Sequence, residues 1–207
     1  MTRDFDKPVK ILLASGSPRR RALLRDMGWS FGVCSPDVDE SHLPGEGPGA
    51  LCERLSRLKA EAGAASAGEE STMVIAADTI VVIDGKILGK PADRDDARAM
   101  LRLLQGRTHE VMTGVALRYN GRTHSGVERT AVRFRPLSED EISAYVQTGE
   151  CDDKAGAYAI QGRGSLLIES IDGDYFNVVG LPLCRLSHMM EEMGLPLAGQ
   201  LRWEEKF

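Results

Sequence analysis

The stretch Leu13-Ala14-Ser15-Gly16-Ser17-Pro18-Arg19-Arg20-Arg21 carries the residue types that would hold an anion. Small residues turn the chain tightly after an apolar run, and Pro18 suits the first turn of a helix, where a missing N–H costs nothing. Free N–H groups at a helix start, the hydroxyls of Ser15 and Ser17, and the arginine run Arg19-Arg20-Arg21 together make a site for a polyanion such as phosphate. The alternative is a solvated basic turn. Asp78 follows the apolar run Met73-Val74-Ile75-Ala76-Ala77 and reads as the carboxyl end of a strand, where α/β sheets present ligands. It could equally cap the turn into Thr79. Glu40 lies in an acidic loop; converging with Asp78 on phosphate, it could hold Mg²⁺ through oxygen ligands and help orient water. Such loops are more often only solvated. Lys59 and Lys90 are candidate phosphate cations, and each has an ordinary surface reading. Gln161, in a glycine-rich stretch, offers the donor and acceptors that suit a nucleobase edge.

The elements that must position these groups alternate between helical and extended patterns. Val9 to Leu13 and Trp29 to Cys34 read as strands separated by a helix that starts near Ala22 and stops at Gly28. Leu51, Leu55, Leu58 and Ala62 recur at helical spacing, giving a helix over 50–64 with Lys59 at the edge of its apolar face. The strand over 73–77 ends at Asp78, and Asp84-Gly85 then closes a hairpin between Thr79 and Leu88. A helix capped by Asp93 runs to Gln105. Asn120-Gly121 joins strands over 111–119 and 123–134, and Ser138 with Glu141 has the capping-box spacing. A strand over 165–171 follows, and Leu183, Leu186, Met190 and Met193 place a last helix on the core. Helical crossovers mixed with hairpins imply an α/β fold with a mixed twisted sheet flanked by helices.

Bulk properties narrow the class. The 207 residues suit a single domain, with residues 1–8 a loose tail. With 26 Lys and Arg against 31 Asp and Glu, the net charge of −5 disfavours a nucleic-acid polymer as partner, so any anion site is local. Cys34, Cys52, Cys151 and Cys184 form no C-x-x-C pair, and no signal segment precedes the first strand, as expected of reduced thiols in the cytoplasm. Apolar runs fall short of a membrane span. His42, His109, His124 and His188 lack metal-ligand spacing, and there is no Walker A sequence.

Several motifs occur together in one order: Ala14-Ser15-Gly16-Ser17-Pro18-Arg19-Arg20, Val38-Asp39-Glu40, Ala76-Ala77-Asp78-Thr79, Gly89-Lys90-Pro91, Asp153-Lys154-Ala155-Gly156-Ala157-Tyr158, Ile160-Gln161-Gly162 and Asn177-Val178-Val179-Gly180-Leu181-Pro182-Leu183. In this the chain resembles the Maf family of nucleotide pyrophosphatases, from Ile11 to about Met193. The resemblance implies hydrolysis of a nucleoside triphosphate to a monophosphate and pyrophosphate with a divalent metal, Mg²⁺ or Mn²⁺. It also implies a homodimer, and a fold of two lobes with a central cleft related to that of inosine triphosphate pyrophosphatases.

Arg19, Thr79 and Gln161 resemble the branch acting on dTTP and UTP. The branch acting on 7-methyl-GTP tends to carry an aromatic, a Gln and a Glu at these places. From the resemblance, Arg20, Lys59, Lys90 and the Ser15 turn hold the triphosphate, while Arg19, Thr79 and Gln161 position base and sugar. Asp78 acts as general base, and Glu40, with Asp78, binds the metal. Competing expectations are a 7-methyl-GTP or modified-purine pyrophosphatase and a nucleotide-binding regulator of septum formation.

Overall fold

A computed structural model describes residues 9–68 and 71–203; the tail expected over 1–8 lies outside the described residues. The chain opens with strand β1 (Ile11–Ala14), helix α1 (Pro18–Asp26), strand β2 (Phe31–Cys34) and the long helix α2 (Pro48–Ala67). Strands β3 (Met73–Ile83) and β4 (Lys86–Leu88) form the first hairpin, and α3 (Arg94–Leu104) leads to the second, β5 (Thr108–Tyr119) with β6 (Arg122–Phe134). Helix α4 (Glu139–Gln147), strand β7 (Ile168–Asp172) and helices α5 (Tyr175–Val179), α6 (Leu183–Glu192) and α7 (Leu197–Gln200) complete it. Both expected hairpins form, with Asp84 and Asn120 at φ of 50° and 49°. The expected capping box forms too: Ser138 Oγ accepts from the Glu141 N–H, and Glu141 Oε2 accepts from the Ser138 N–H. Among the described residues no helix is long and apolar enough to cross a membrane.

The sheet is mixed, as the alternation of crossovers and hairpins requires, with order β2-β1-β3-β5-β6-β7 and β4 on β3. β1 lies parallel to β2 and β3, and all other pairings are antiparallel. Two expectations are corrected. Asp78 does not end its strand: β3 runs eleven residues to Ile83 because Ile80-Val81-Val82-Ile83 resumes the apolar run. The strand expected over 165–171 forms as β7 but begins three residues later, at Ile168, because a 3₁₀ segment occupies Gly162–Leu167.

Side chains alternate across the sheet, and on each face the apolar core divides in two. On one face Met73, Ile75 and Ala77 of β3 pack with α1 and α6, while Val81 and Ile83 pack with α3 and α4. On the other face, Val74 and Ala76 pack beneath Ala60 of α2, and Ile80 and Val82 beneath its Cys52. The two halves are the expected lobes. Between them the long strands carry polar residues: Asp78 pairs with Gly114 and Thr79 with Thr113. Gly114 permits the close seating of α2 here, since a Cβ would stand 2.1 Å from the Cys52 carbonyl oxygen.

Candidate active site

β1 covers β3 only as far as Ile75, and β4 joins the same strand at Val81. That gap opens where the sheet order reverses, the chain leaving β1 for β2 on one side and β3 for β4 and β5 on the other, the switch point at which α/β sheets bind ligands. A cleft of about 690 Å³ occupies it, and every candidate named from the sequence lines it: Ser15, Arg19, Arg20, Glu40, Lys59, Asp78, Thr79, Lys90 and Gln161. Five cationic side chains (Arg19, Arg20, Lys59, Lys90, Lys154) face three acidic ones (Glu40, Asp78, Asp153) there, so an acidic chain carries a locally positive cleft.

On the α2 face the charges converge on one atom. Lys59 belongs to the buried stripe Cys52, Leu55, Ser56, Ala60 and Gly63, which explains why its side chain is only 14% exposed. Its Nζ lies 2.7 Å from Asp78 Oδ1 and 2.7 Å from Glu40 Oε1. Asp78 is as buried as Lys59, whereas Glu40 is 60% exposed at the cleft mouth. The Lys59 ammonium takes Asp78 Oδ1, and no hydrogen bond to Asp78 Oδ2 is shown among the described residues.

On the opposite face Arg20 is locked in place. Its Nε donates to the Gly180 carbonyl at 2.7 Å, its Nη1 to Ser15 Oγ at 3.0 Å and its Nη2 to Thr79 Oγ1 at 3.0 Å. Thr113 Oγ1 donates to the Asn177 carbonyl, so the 2.9 Å contact between Thr79 and Thr113 uses the Thr79 proton. The Thr79 hydroxyl therefore accepts from Arg20 and donates to Thr113, at the lining of the cleft. Although part of its surface meets the cleft, Arg20 is densely enclosed by protein; burial lowers its pKa to about 10, opposed by the nearby Asp78 charge, and it stays cationic at neutral pH. Ser17 caps α1, accepting from the Arg20 N–H.

The glycine-rich stretch supplies the far wall. Lys154, only 14% exposed, pairs with Asp153, which lies 3.9 Å from Arg19. Sequence reasoning left Lys154 unassigned, although an Asp-Lys pair inside a glycine-rich turn was a usable signal. Thr113 was missed as well; its signal is a hydroxyl breaking the apolar alternation of β5.

Among the described residues no group of three or more His, Cys, Asp or Glu side chains could hold a metal ion. Glu40 and Asp78 nevertheless fit a hard cation, because Mg²⁺ is commonly held by one or two carboxylates with substrate phosphates and water completing its shell.

Fold and cleft together define an α/β protein that presents a fixed cationic wall and a carboxylate pair to one cleft. The chain belongs to the Maf family: the Maf-like protein family matches residues 10–193. It is 52% identical over 188 residues to a dTTP/UTP pyrophosphatase of Symbiobacterium thermophilum, spanning 91% of this chain and 96% of that one. A dTTP/UTP pyrophosphatase of Vibrio cholerae is 51% identical over 183 residues, with 88% and 97% covered. The solved structure of the Staphylococcus aureus Ham1 protein matches with a TM-score of 0.52 at 15% identity, covering 89% of this chain and 99% of that one. That last likeness is one of fold alone.

Proposed function

We propose that this chain is a nucleoside triphosphate pyrophosphatase that hydrolyses dTTP and UTP to the monophosphate and pyrophosphate. The observation that carries the reading is the Glu40–Lys59–Asp78 cluster opposite the fixed Arg20 in one cleft. Relatives at about half identity over most of both chains, named as dTTP/UTP pyrophosphatases, support the base preference.

Arg20, Lys90, Lys154 and the start of α1 meet the triphosphate oxygens, and Lys59 follows when the phosphates compete for its ammonium. Arg19 and Gln161 face the base and sugar. Asp78 takes a proton from water through its Oδ2 as the water oxygen bonds to the α-phosphorus. The bond from that phosphorus to the bridging oxygen breaks, and pyrophosphate leaves with the electron pair. Glu40 and Asp78 would hold Mg²⁺ or Mn²⁺, which supplies charge neutralisation on the departing pyrophosphate. Such chemistry needs chiefly positioning and electrostatic stabilisation. We assign the activity to a single domain working as a homodimer in the cytoplasm, with no nucleic-acid polymer as partner.

Pyrophosphate release with Mg²⁺ across dTTP, UTP, CTP, GTP, 7-methyl-GTP and ITP tests the reading. Preference for dTTP and UTP is expected, and Asp78→Asn should lower kcat by about 10²–10⁴-fold with the fold intact. Preference for 7-methyl-GTP or ITP overturns the base assignment. Saturable binding without turnover overturns the enzyme reading in favour of a nucleotide-binding regulator.

A further inference from the structure

Gln161 is exposed in the cleft immediately before the 3₁₀ segment over Gly162–Leu167, and its side chain does not cap that segment, so other groups must fix it. Two side chains from α4 and the turn after it do so. Tyr145 Oη accepts from the Ala159 N–H at 3.2 Å, just before Gln161, and donates to Glu150 Oε1 at 3.2 Å. Just after Gln161, Glu150 Oε2 accepts from the Arg163 N–H at 3.0 Å and Glu150 Oε1 from the Gly164 N–H at 2.8 Å. The segment lies directly on this carboxylate: a Cβ at Gly162 would stand 2.7 Å from Glu150 Oε2. Glu150 is itself oriented by its own N–H, which donates to Thr148 Oγ1 at 3.2 Å.

We propose that Glu150, with Tyr145, is the positioning pair that sets Gln161 against the nucleobase and thereby determines base selectivity. Glu150 touches no reacting atom and acts through Gln161 alone. The inference rests on the assignment of Gln161 to the base. A carboxylate suits the task because it has no hydrogen to turn against the N–H groups of Arg163 and Gly164. Burial raises the Glu150 pKa, but hydrogen bonds from Gly164, Arg163 and Tyr145 outweigh it and hold the group below its ordinary value. It is therefore an acceptor throughout the neutral range. A glutamine of the same shape replaces one acceptor oxygen with an NH₂ that faces a backbone donor.

The test is a double-mutant cycle on discrimination, the ratio of kcat/KM for dTTP to that for CTP, in wild type, Glu150→Gln, Gln161→Ala and the double variant. Glu150→Gln should cut the ratio by about fivefold to tenfold, the scale of one well-made hydrogen bond, through a raised KM for dTTP with kcat nearly unchanged. In the Gln161→Ala background it should change the ratio no further, because a residue acting through Gln161 has nothing left to position. Tyr145→Phe, which keeps the ring and loses only the hydroxyl, should shift the ratio in the same direction by less. Additive effects, or a normal ratio in Glu150→Gln beside an altered one in Gln161→Ala, overturn the proposal while the base assignment stands. An unaltered ratio in Gln161→Ala overturns both.

Discussion

Lys59 holds together the two carboxylates on which the proposed chemistry depends, so Lys59→Met should expose that dependence. Methionine keeps the length of the stem and removes the ammonium. Two unit charges about 4 Å apart attract by about 4 kcal/mol at an effective dielectric of 20, before desolvation is subtracted. The pair with Glu40 adds little, since Glu40 is 60% exposed and solvent screens it. Asp78 is different: it is 14% exposed and loses its only ion-pair partner shown among the described residues. Removing one member of a fully buried pair costs roughly 3–5 kcal/mol, and the residual solvent contact here brings the expected loss to about 2 kcal/mol. For a chain of this size that corresponds to a fall in Tm of about 4–8 °C. The assay is thermal unfolding of both proteins without nucleotide, with and without Mg²⁺. In the wild type Lys59 occupies the cation position, so Mg²⁺ alone should leave Tm unchanged. In Lys59→Met the carboxylates are free, and Mg²⁺ at 100 times its Kd would restore about 2.7 kcal/mol. An unchanged Tm in the variant, or an equal Mg²⁺ response in both proteins, would refute the claim that Lys59 and the metal compete for the same oxygens.

Thr113→Val keeps the shape of the side chain but deprives Thr79 of its acceptor, so Arg20 loses a fixed partner; KM for dTTP should rise about tenfold, the scale of one unmet buried hydrogen bond. Thr113→Ser should restore it, and steady-state kinetics showing a normal KM in the valine variant would remove Thr113 from the site. His109 is buried against Tyr158 and Phe134, and burial lowers its pKa from 6.5 to about 4. Between those values the unfolded chain binds a proton that the native state refuses, so stability is full above pH 6.5 and falls as pH drops through this window, by about 3 kcal/mol. Urea unfolding at pH 7 and pH 4.5 should show that loss in the wild type and most of it removed in His109→Gln; an equal loss in both would assign the acid sensitivity elsewhere.

The elements were legible where periodicity and punctuation agreed. Asp84-Gly85, Asn120-Gly121 and the Ser138–Glu141 box were readable because each is a local device needing only neighbours in sequence. The misreading at Asp78 has the opposite cause. Two polar residues after an apolar run look like a strand end, and only pairing with β5 over nine residues carries the strand through them. The segment after Gln161 misled for a similar reason: its backbone donors are met by the Glu150 side chain in place of a neighbouring strand. The candidate cations and carboxylates were readable by type, but their partners were not. Nothing local tells that the Lys59 ammonium rests on Asp78, because that contact depends on α2 crossing β5 at Gly114.

That crossing also explains why one dipeptide serves two purposes. Successive strand residues point to opposite faces, so Asp78 meets Lys59, which also holds Glu40, beneath α2 while Thr79 meets Arg20 beside α1. An ordinary strand would bury both under helices. Here the sheet edge is open between β1 and β4, and both faces reach the same cleft around it. The carboxylate proposed to activate water and the hydroxyl that holds Arg20, the cation proposed for phosphate, therefore belong to adjacent residues of one strand. Their separation is set by backbone geometry rather than by loop conformation. Lys90, Lys154 and Gln161 reach the same cleft from segments outside this strand.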